Sequence, residues 1–450
     1  MRVHHLTAFH QGGAGIAARR LHSLILKAEI DSQLFIDDLM TKDVIEDGAL
    51  PSATSKWDSQ ATWIDLARAA FRYPQQKLRR RRYLRGRSGY FSQPWRIVPK
   101  RPSHLLSECD LLHLHWVARL IDGDRFFDYL PAELPVVWTL HDMNPLTGGC
   151  HHADACQNYR TGCGHCPMLN RPNSDDLSRK IFIAKMQLFK RRCIHIVTPS
   201  YWMESIARES PIAREFASIR TIYNGIDLEL FQRSHGKRLR DALGIDSDAV
   251  VLGYGAESLT NQRKGISEFF KLLKHLSHMR NVVGLVFGRG PVPMEQGVRV
   301  YQLGSLNTAS ELSEAYSAMD VFVSPTHAEI LGQAILESQA CETPVVAFGV
   351  GGVHESVADG ETGILASLHN FEDLLHKTLL IIDGPDLRQR MGRAGRRRVE
   401  RLFDAKHSIT RHLQLYKECL STALHKSSHS VENARPDAQP FRGSIGCKRL

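Results

Sequence analysis

No stretch of the 450-residue chain approaches the roughly 18 to 20 consecutive apolar residues that cross a bilayer, so no transmembrane helix is expected. The N-terminus, Met1-Arg2-Val3-His4-His5-Leu6-Thr7, has two histidines where a secretory signal carries its apolar core, which points to a cytoplasmic protein. No internal repeat is evident beyond an alternation of strand-like and helix-like segments. Nine cysteines are an odd number for a disulfide framework, and four of them cluster between residues 150 and 166; thiols and a metal are the better reading. Hydrophobic residues at 42% and charged residues at 24% are ordinary for globular chains, and the length suits two or three domains.

Charge is present in excess of one sign. Lys plus Arg number 58 against 48 Asp plus Glu, a net +10. The excess is concentrated at Lys77–Arg87 (KLRRRRYLRGR) and Arg388–Arg401. Such runs attract nucleic acid, lipid headgroups or a diphosphate-bearing substrate, while a merely solvated helical face is an equal alternative.

The chain opens as strand, glycine turn, helix: Arg2–Phe9, Gly12-Gly13-Ala14-Gly15, then Ile16–Lys27 with apolar residues at helical spacing. Strand-like runs follow at Gln33–Ile36, Leu111–Trp116, Pro135–Leu140, His195–Thr198 and Ser218–Ile222, with helical stretches such as Leu177–Arg192 between them. A second alternation begins at Val250 and continues to Ala366. It is followed by a helical stretch Phe371–Val399, a terminal helix over 404–420, and a polar tail, 421–450, expected to be disordered. Residues 41–103 are poorly patterned, mixing basic and aromatic side chains as an insertion closing over a site or touching a membrane would. These patterns predict two α/β domains, 1–222 and 223–403, joined near Tyr223–Phe231.

The densest chemistry lies in Ser324–Ala366, SPTHAEILGQAILESQACETPVVAFGVGGVHESVADGETGILA. A strand ends at Ser324, a loop carries Glu329, and a helix opening near Leu331 would aim the amides around Gly332 and Gln333 at one anion. Glu337, two turns in, faces the same place and suits the hydroxyls of a ribose. Glu329 would meet a sugar beyond a diphosphate. A cap and a solvated glutamate are the bland reading of the same pair.

This stretch resembles the signature of retaining glycosyltransferases of family 4, with their E-x7-E pair, small-residue helix, C-x-T-P-V-V-A strand and G-G-x-x-E turn. The likeness runs from Met1 to about Leu420 and is densest after Val250. It implies the GT-B architecture: two facing Rossmann-like, doubly wound domains, with the donor nucleotide held mainly by the second across an interdomain cleft. Under the resemblance, Lys264 in Gly253–Gly265 (GYGAESLTNQRKG) falls on the family's diphosphate-binding lysine. Ser258 stands where the family often has an arginine, and Arg263 is the candidate to supply the missing charge. Gly12 and Gly13 fall on the glycine loop near the donor phosphate, and His141 in Leu140-His141-Asp142 on the first-domain histidine that contacts the donor sugar. Tyr223-Asn224-Gly225-Ile226-Asp227 matches the interdomain turn. His113 and His115, alternating along a strand, read as structural or acceptor-side.

Cys150, Cys156, Cys163 and Cys166 combine a C-x2-C knuckle with two upstream thiols, a spacing that suits a structural four-thiolate zinc, with histidines as alternative ligands and free or redox-active thiols the other reading. They also resemble a cysteine-bearing insertion in a subset of bacterial polysaccharide glycosyltransferases of the exopolysaccharide and colanic-acid type.

The resemblance implies a metal-independent, retaining transfer of a sugar from UDP or GDP to a glycan acceptor in polysaccharide or lipopolysaccharide synthesis, on a polyprenyl-diphosphate carrier at the inner membrane face. Glu329, His141 and Lys264 would act on the donor sugar and leaving group. Arg263, Lys264, Gly332, Gln333, Glu337, Gly12 and Gly13 would bind the donor, and Lys77–Arg87 would meet an anionic membrane surface. Two rivals use the same residues. A nucleotide-sugar epimerase needs no acceptor, and an NAD-dependent oxidoreductase would use Gly13-Ala14-Gly15-Ile16-Ala17-Ala18 with Asp37 or Asp38. A nucleic-acid-binding protein leaves the Ser324–Ala366 constellation without a purpose, so no nucleic-acid partner is expected.

Overall fold

The computed structural model describes residues 1–37, 54–57, 91–93, 103–118, 120–121, 126–234, 236–292 and 297–432. The basic segment Lys77–Arg87, most of the 41–103 insertion and residues 433–450 lie outside the described residues.

Buried apolar runs make the central strands, such as Leu111–Leu114, Val136–Thr139 and Val345–Phe348. In the first half the strands are β1 Arg2–Thr7, β2 Asp31–Asp37, β3 Thr54–Trp57, β4 Leu111–Leu114, β5 Val136–Thr139, β6 Ile194–Thr198 and β7 Ser218–Thr221. They form one sheet of order β3-β2-β1-β4-β5-β6-β7, parallel throughout. The second half contributes β8 Val250–Ser258, β9 Val282–Arg289, β10 Val300–Gln302, β11 Val321–Ser324, β12 Val345–Phe348 and β13 Gly363–Ala366. Their order is β10-β9-β8-β11-β12-β13, again parallel. In both sheets the order reverses beside the first strand, β1 or β8, and the crevice outside the carboxyl ends at such a switch point is where open α/β sheets bind ligands.

The helices pack these sheets because their apolar faces recur every three to four residues. Helix Ile266–Ser277 buries Ile266, Phe269, Phe270, Leu273 and Leu276 against the second sheet. Asp176 caps helix Leu177–Phe189 by accepting from the Ser178 and Arg179 amides, and Thr308 with Glu311 forms a reciprocal capping box at Ala309–Ser317.

Three expectations are corrected. The stretch Phe371–Val399 is two helices, Phe371–Ile382 and Pro385–Leu402, because Pro385 lacks the amide that would continue the first and is suited to start the second. Strand β3 falls in the segment read as patternless. The terminal helix runs Ala405–Glu432, past the boundary expected at residue 420 and into the segment expected to be a disordered tail.

That helix returns to the first half. Its Leu415, Tyr416 and Cys419 share a core with Val3, Leu111, Val137, Val197 and Ile222. The chain therefore crosses between the halves twice, and the crossings are bonded to each other: the Ile226 amide donates to Phe403 O (2.8 Å) and the Ala405 amide to Ile226 O (3.0 Å). Gly225 is needed there, since a Cβ would sit 2.5 Å from the Ala405 backbone.

The second basic stretch has structural work. Arg396 donates to Phe231 O (2.6 Å) and Ala340 O (2.9 Å), and Arg398 to Glu355 O (2.7 Å). Arg396 also pairs with Glu400 (2.7 Å), so bonds within the second half engage both guanidinium groups.

Candidate functional site

A cleft of about 920 Å³ separates the two sheets. Its first wall is the glycine loop, the face of helix Gly12–Lys27 bearing Arg19 and Arg20, and the histidines His141 and His152. Its second wall is built from the ends of β8, β9 and β11 and the start of helix Gln333–Ala340. Gly12 has φ of +73°, and a Cβ there would lie 3.7 Å from Glu257 Oε2 of the opposite half, so the glycine loop reaches directly across to the end of β8.

Helix Gln333–Ala340 begins two residues later than expected, with Gly332 at its N-cap and φ of +88°. Gly332, Gln333 and Ala334 line the cleft, and the helix dipole makes this end electropositive. Beside it, Lys264 Nζ lies 2.5 Å from Glu329 Oε2, and Arg263 Nη1 is 3.9 Å from the same oxygen while donating to Ala328 O. Burial of Glu329 opposes its ionisation, but the cations of Lys264 and Arg263 outweigh this and hold its carboxyl down to about 2. Burial pulls the Lys264 ammonium below its ordinary value against the attraction of Glu329. Glu329 is thus a fixed anion, unsuited to donate a proton at neutral pH. Arg263 converges with Lys264 on this oxygen, while Ser258 bonds Thr260 (2.9 Å) at the end of β8.

Glu337 is buried and holds two partners. Its Oε1 lies 2.7 Å from Arg20 Nη2, and its Oε2 accepts from Tyr316 OH at 2.9 Å. Arg20 also donates to Gln333 Oε1 (3.1 Å), with its guanidinium 5.0 Å above the Phe231 ring. Each carboxylate oxygen has a second lone pair, so the group can still accept a hydroxyl.

The sequence reading brought Glu329, Lys264, Arg263, Gly332, Gln333, Glu337, Gly12, Gly13 and His141 to one site, and the structure places all nine on the cleft. It missed Arg20, whose partner is 313 residues away. It also missed Arg289, which lines the cleft and pairs with Glu257, and His152, which burial and Arg263 push down to about 4 against Asp142 and Glu329. Glu355, from the G-G-x-x-E turn, crosses to the first half and caps helix Tyr201–Glu209, accepting from the Tyr201 and Trp202 amides at 2.9 and 2.6 Å.

His141 follows β5. Burial pushes its imidazole down to about 4 despite neighbouring Asp142. Asp142 accepts from Trp116 Nε1 (2.5 Å) and the Asn144 amide (2.8 Å), and its Oδ2 is 2.5 Å from His151 Nδ1. Burial works against its ionisation, and His151 with the Asn144 amide overcomes it, holding Asp142 down to about 2.

Cys150, Cys156, Cys163 and Cys166 are free thiols lining one small cavity of about 20 Å³. The Gly148 amide donates to Cys163 Sγ (3.1 Å), and the Met168 amide to Cys166. Burial pushes Cys150 up to about 12 and Cys163 up to about 11. Three of their sulfurs do not approach one another within 4.8 Å. Among the described residues the one group that does so with its ligand atoms is His5, His113 and His115.

Residues 238–398 match the family model of glycosyl transferases group 1. Curated relatives include a D-inositol 3-phosphate glycosyltransferase of Saccharomonospora viridis, 28% identical over 220 residues (45% of this chain, 51% of the relative). Another is the capsular polysaccharide biosynthesis glycosyltransferase CapM of Staphylococcus aureus, 28% identical over 205 residues (40% and 50%). The chain spans about half the length of these relatives. Among solved structures, sucrose-phosphate synthase from Thermosynechococcus elongatus superposes with a TM-score of 0.64 at 18% identity, covering 94% of this chain and 99% of that one. HepE of Anabaena, in complex with UDP and glucose, gives 0.64 at 16% identity, covering 93% and 100%. The fold is the GT-B architecture of two Rossmann-like domains.

Proposed function

We propose that the chain transfers a sugar from a nucleoside diphosphate to a glycan acceptor, with retention and without a divalent metal in the chemistry. The observation that carries this reading is the convergence on one cleft of two cations, a helix N-terminus and two glutamates spaced for sugar and ribose. Lys264, Arg263 and the amides from Gly332 to Ala334 gather positive charge where a diphosphate would depart, which is the charge that develops as the glycosidic bond breaks. Glu337 would accept the ribose hydroxyls beside Arg20 and Tyr316. Glu329, held as an anion, would accept hydroxyls of the donor sugar and favour positive charge on its anomeric carbon. Retention then follows from attack on the face that the diphosphate leaves.

UDP is the first nucleotide to test, because HepE, which shares the fold, was solved in complex with UDP-glucose. CapM supports a polysaccharide acceptor, and a lipid-diphosphate carrier with Lys77–Arg87 at an anionic membrane surface completes the reading. No helix of the described residues is long and apolar enough to cross a membrane. For the cysteine cluster the reading is a structural zinc, supported by four free thiols on one cavity and two amide-to-sulfur bonds; closing on the ion requires the sulfurs to draw together.

Calorimetric titration with UDP, GDP, their sugar conjugates and NAD tests the donor assignment. Saturable binding of one nucleotide family, weakened about tenfold or more by Glu337→Ala, supports it; tenfold is about 1.4 kcal/mol. Binding of NAD in place of any nucleotide sugar would overturn it, and conversion of the donor sugar without acceptor would favour the epimerase.

A further inference from the structure

Behind His141 lies a buried row of imidazoles contributed by neighbouring strands. His5 on β1 is in register with His113 on β4, His115 follows β4, and His141 follows β5. His5 Nδ1 is 3.0 Å from His115 Nε2, and His115 Nδ1 is 3.1 Å from His141 Nε2. The rings of each pair stack at 5.3 and 5.4 Å.

Although His5, His113 and His115 are close enough to suggest a metal cage, their nitrogens are largely committed. His113 meets Tyr416 OH (2.6 Å) and Thr139 Oγ1 (2.8 Å), and both nitrogens of His115 are in the row. The set is a hydrogen-bond chain. Burial pushes His5 and His115 well below the ordinary imidazole range and His141 to about 4, so all three rings are neutral at physiological pH.

In a neutral imidazole one nitrogen donates and the other accepts, so the row has only two proton arrangements. In one, His141 Nε2–H donates inward, His115 Nε2–H passes the bond on, and His5 is left with a buried N–H. His5 Nε2 has no protein partner among the described residues, so that N–H would be orphaned. In the other, His5 Nδ1–H donates to His115 and His115 Nδ1–H donates to His141. Only a bare lone pair is then left at His5 Nε2, and no N–H, the rarest kind of buried unpaired group, is stranded in the core. The second arrangement is favoured. It leaves the His141 proton on Nδ1, the nitrogen turned away from His115. His141 borders the cleft, and its Nδ1 has no protein partner among the described residues.

We propose that His115, backed by His5, is a positioning residue that fixes His141 as the Nδ1–H tautomer, so that the cleft meets this histidine as a hydrogen-bond donor to an oxygen of the donor sugar or its diphosphate and not as a proton acceptor. The identity of that oxygen rests on the nucleotide-sugar reading above; the tautomer does not. The consequence is chemical. A ring fixed this way cannot deprotonate an acceptor hydroxyl, and it can stabilise charge as the donor bond breaks.

Long-range proton–nitrogen NMR of the full chain labelled at histidine, near neutral pH, reads the tautomer directly, with His141→Asn used to assign the signal. The expected result is a protonated Nδ1 and a bare Nε2 at His141 in the wild type. In His115→Leu the preference should be lost, slow hydrolysis of UDP-glucose or GDP-mannose should fall about tenfold or more, and KM for that donor should stay within about threefold. His115→Asn, whose amide can donate near the place of Nδ1, should restore both tautomer and rate. An Nε2–H tautomer in wild type, an unchanged tautomer in a folded His115→Leu, or metal-shifted signals from a zinc-bound row would overturn the proposal. If the wild-type tautomer is as stated but neither donor perturbs the His141 resonances, the positioning role stands and the sugar-transfer reading is what fails.

Discussion

The Arg20–Glu337 pair offers a measurement of how firmly the two halves hold each other across the cleft. The ions are 2.7 Å apart, with side chains 22% and 7% exposed. Two unit charges at about 4 Å in an effective dielectric of about 20 attract by about 4 kcal/mol. Desolvation of both ions cancels much of that, and the partial exposure of Arg20 screens more, leaving a coupling of about 2 kcal/mol. The perturbation is a double-mutant cycle of Arg20→Met and Glu337→Gln. Methionine keeps an apolar stem near the Phe231 ring, and glutamine keeps the acceptor for Tyr316 OH. Glu355 still caps helix Tyr201–Glu209 in every variant, so each should fold. Thermal melting monitored by near-ultraviolet circular dichroism should show each single variant lower by about 4 to 8 °C, and the double variant well above the sum of the two losses. A coupling energy below about 0.5 kcal/mol would refute the pair as a tie between the halves in solution.

Further outcomes follow from the same geometry. Glu329 and Asp142 are both held down to about 2, below the ordinary carboxylate range, so their stabilisation is complete above about 4 and is lost as pH falls towards 2. Lys264→Met should lower stability at neutral pH and flatten the acid limb by up to one proton, read by urea unfolding at stepped pH; an unchanged slope counts against the Lys264–Glu329 pair. Gly265→Ala should destabilise by about 2 kcal/mol or more, because φ is +74° and the new Cβ would stand 1.9 Å from Pro325 O. A variant melting like the wild type would contradict this packing. Purified chain should carry one zinc per molecule and melt lower after chelation, and Cys163→Ser should lose the metal; metal-free protein with four titratable thiols in the cluster would exclude the zinc reading.

Much of the architecture is legible because parallel strands buried on both faces read as short apolar runs, as Val136–Thr139 and Val345–Phe348 do. The candidate donor site is legible for a related reason: Glu329, Glu337 and the amides between them sit on one strand–loop–helix unit, so sequence spacing maps onto spatial spacing. Thr54–Trp57 escapes because an edge strand with a serine and a lysine lacks the apolar signal. Arg20 and Glu355 escape because their meaning is set by partners in the other half. The His5–His115–His141 row is intermediate. Its members stand near the carboxyl ends of β1, β4 and β5, but only the strand order, which the spacing does not reveal, places them side by side.

Because the helix Ala405–Glu432 is laid against β1, β4, β5 and β6, the first half of the molecule is not a contiguous length of chain. A ribosome releases the cleft-facing glycine loop and the histidine row long before it makes the residues that cover Val3, Leu111 and Val137. The core on this face of the first sheet is therefore closed only after the second sheet has been made. An early stop after the second sheet would leave that apolar surface open to solvent and to other chains. A chimera that exchanges one half for a relative's would need to carry the C-terminal helix with the N-terminal partner, as a third segment of its own.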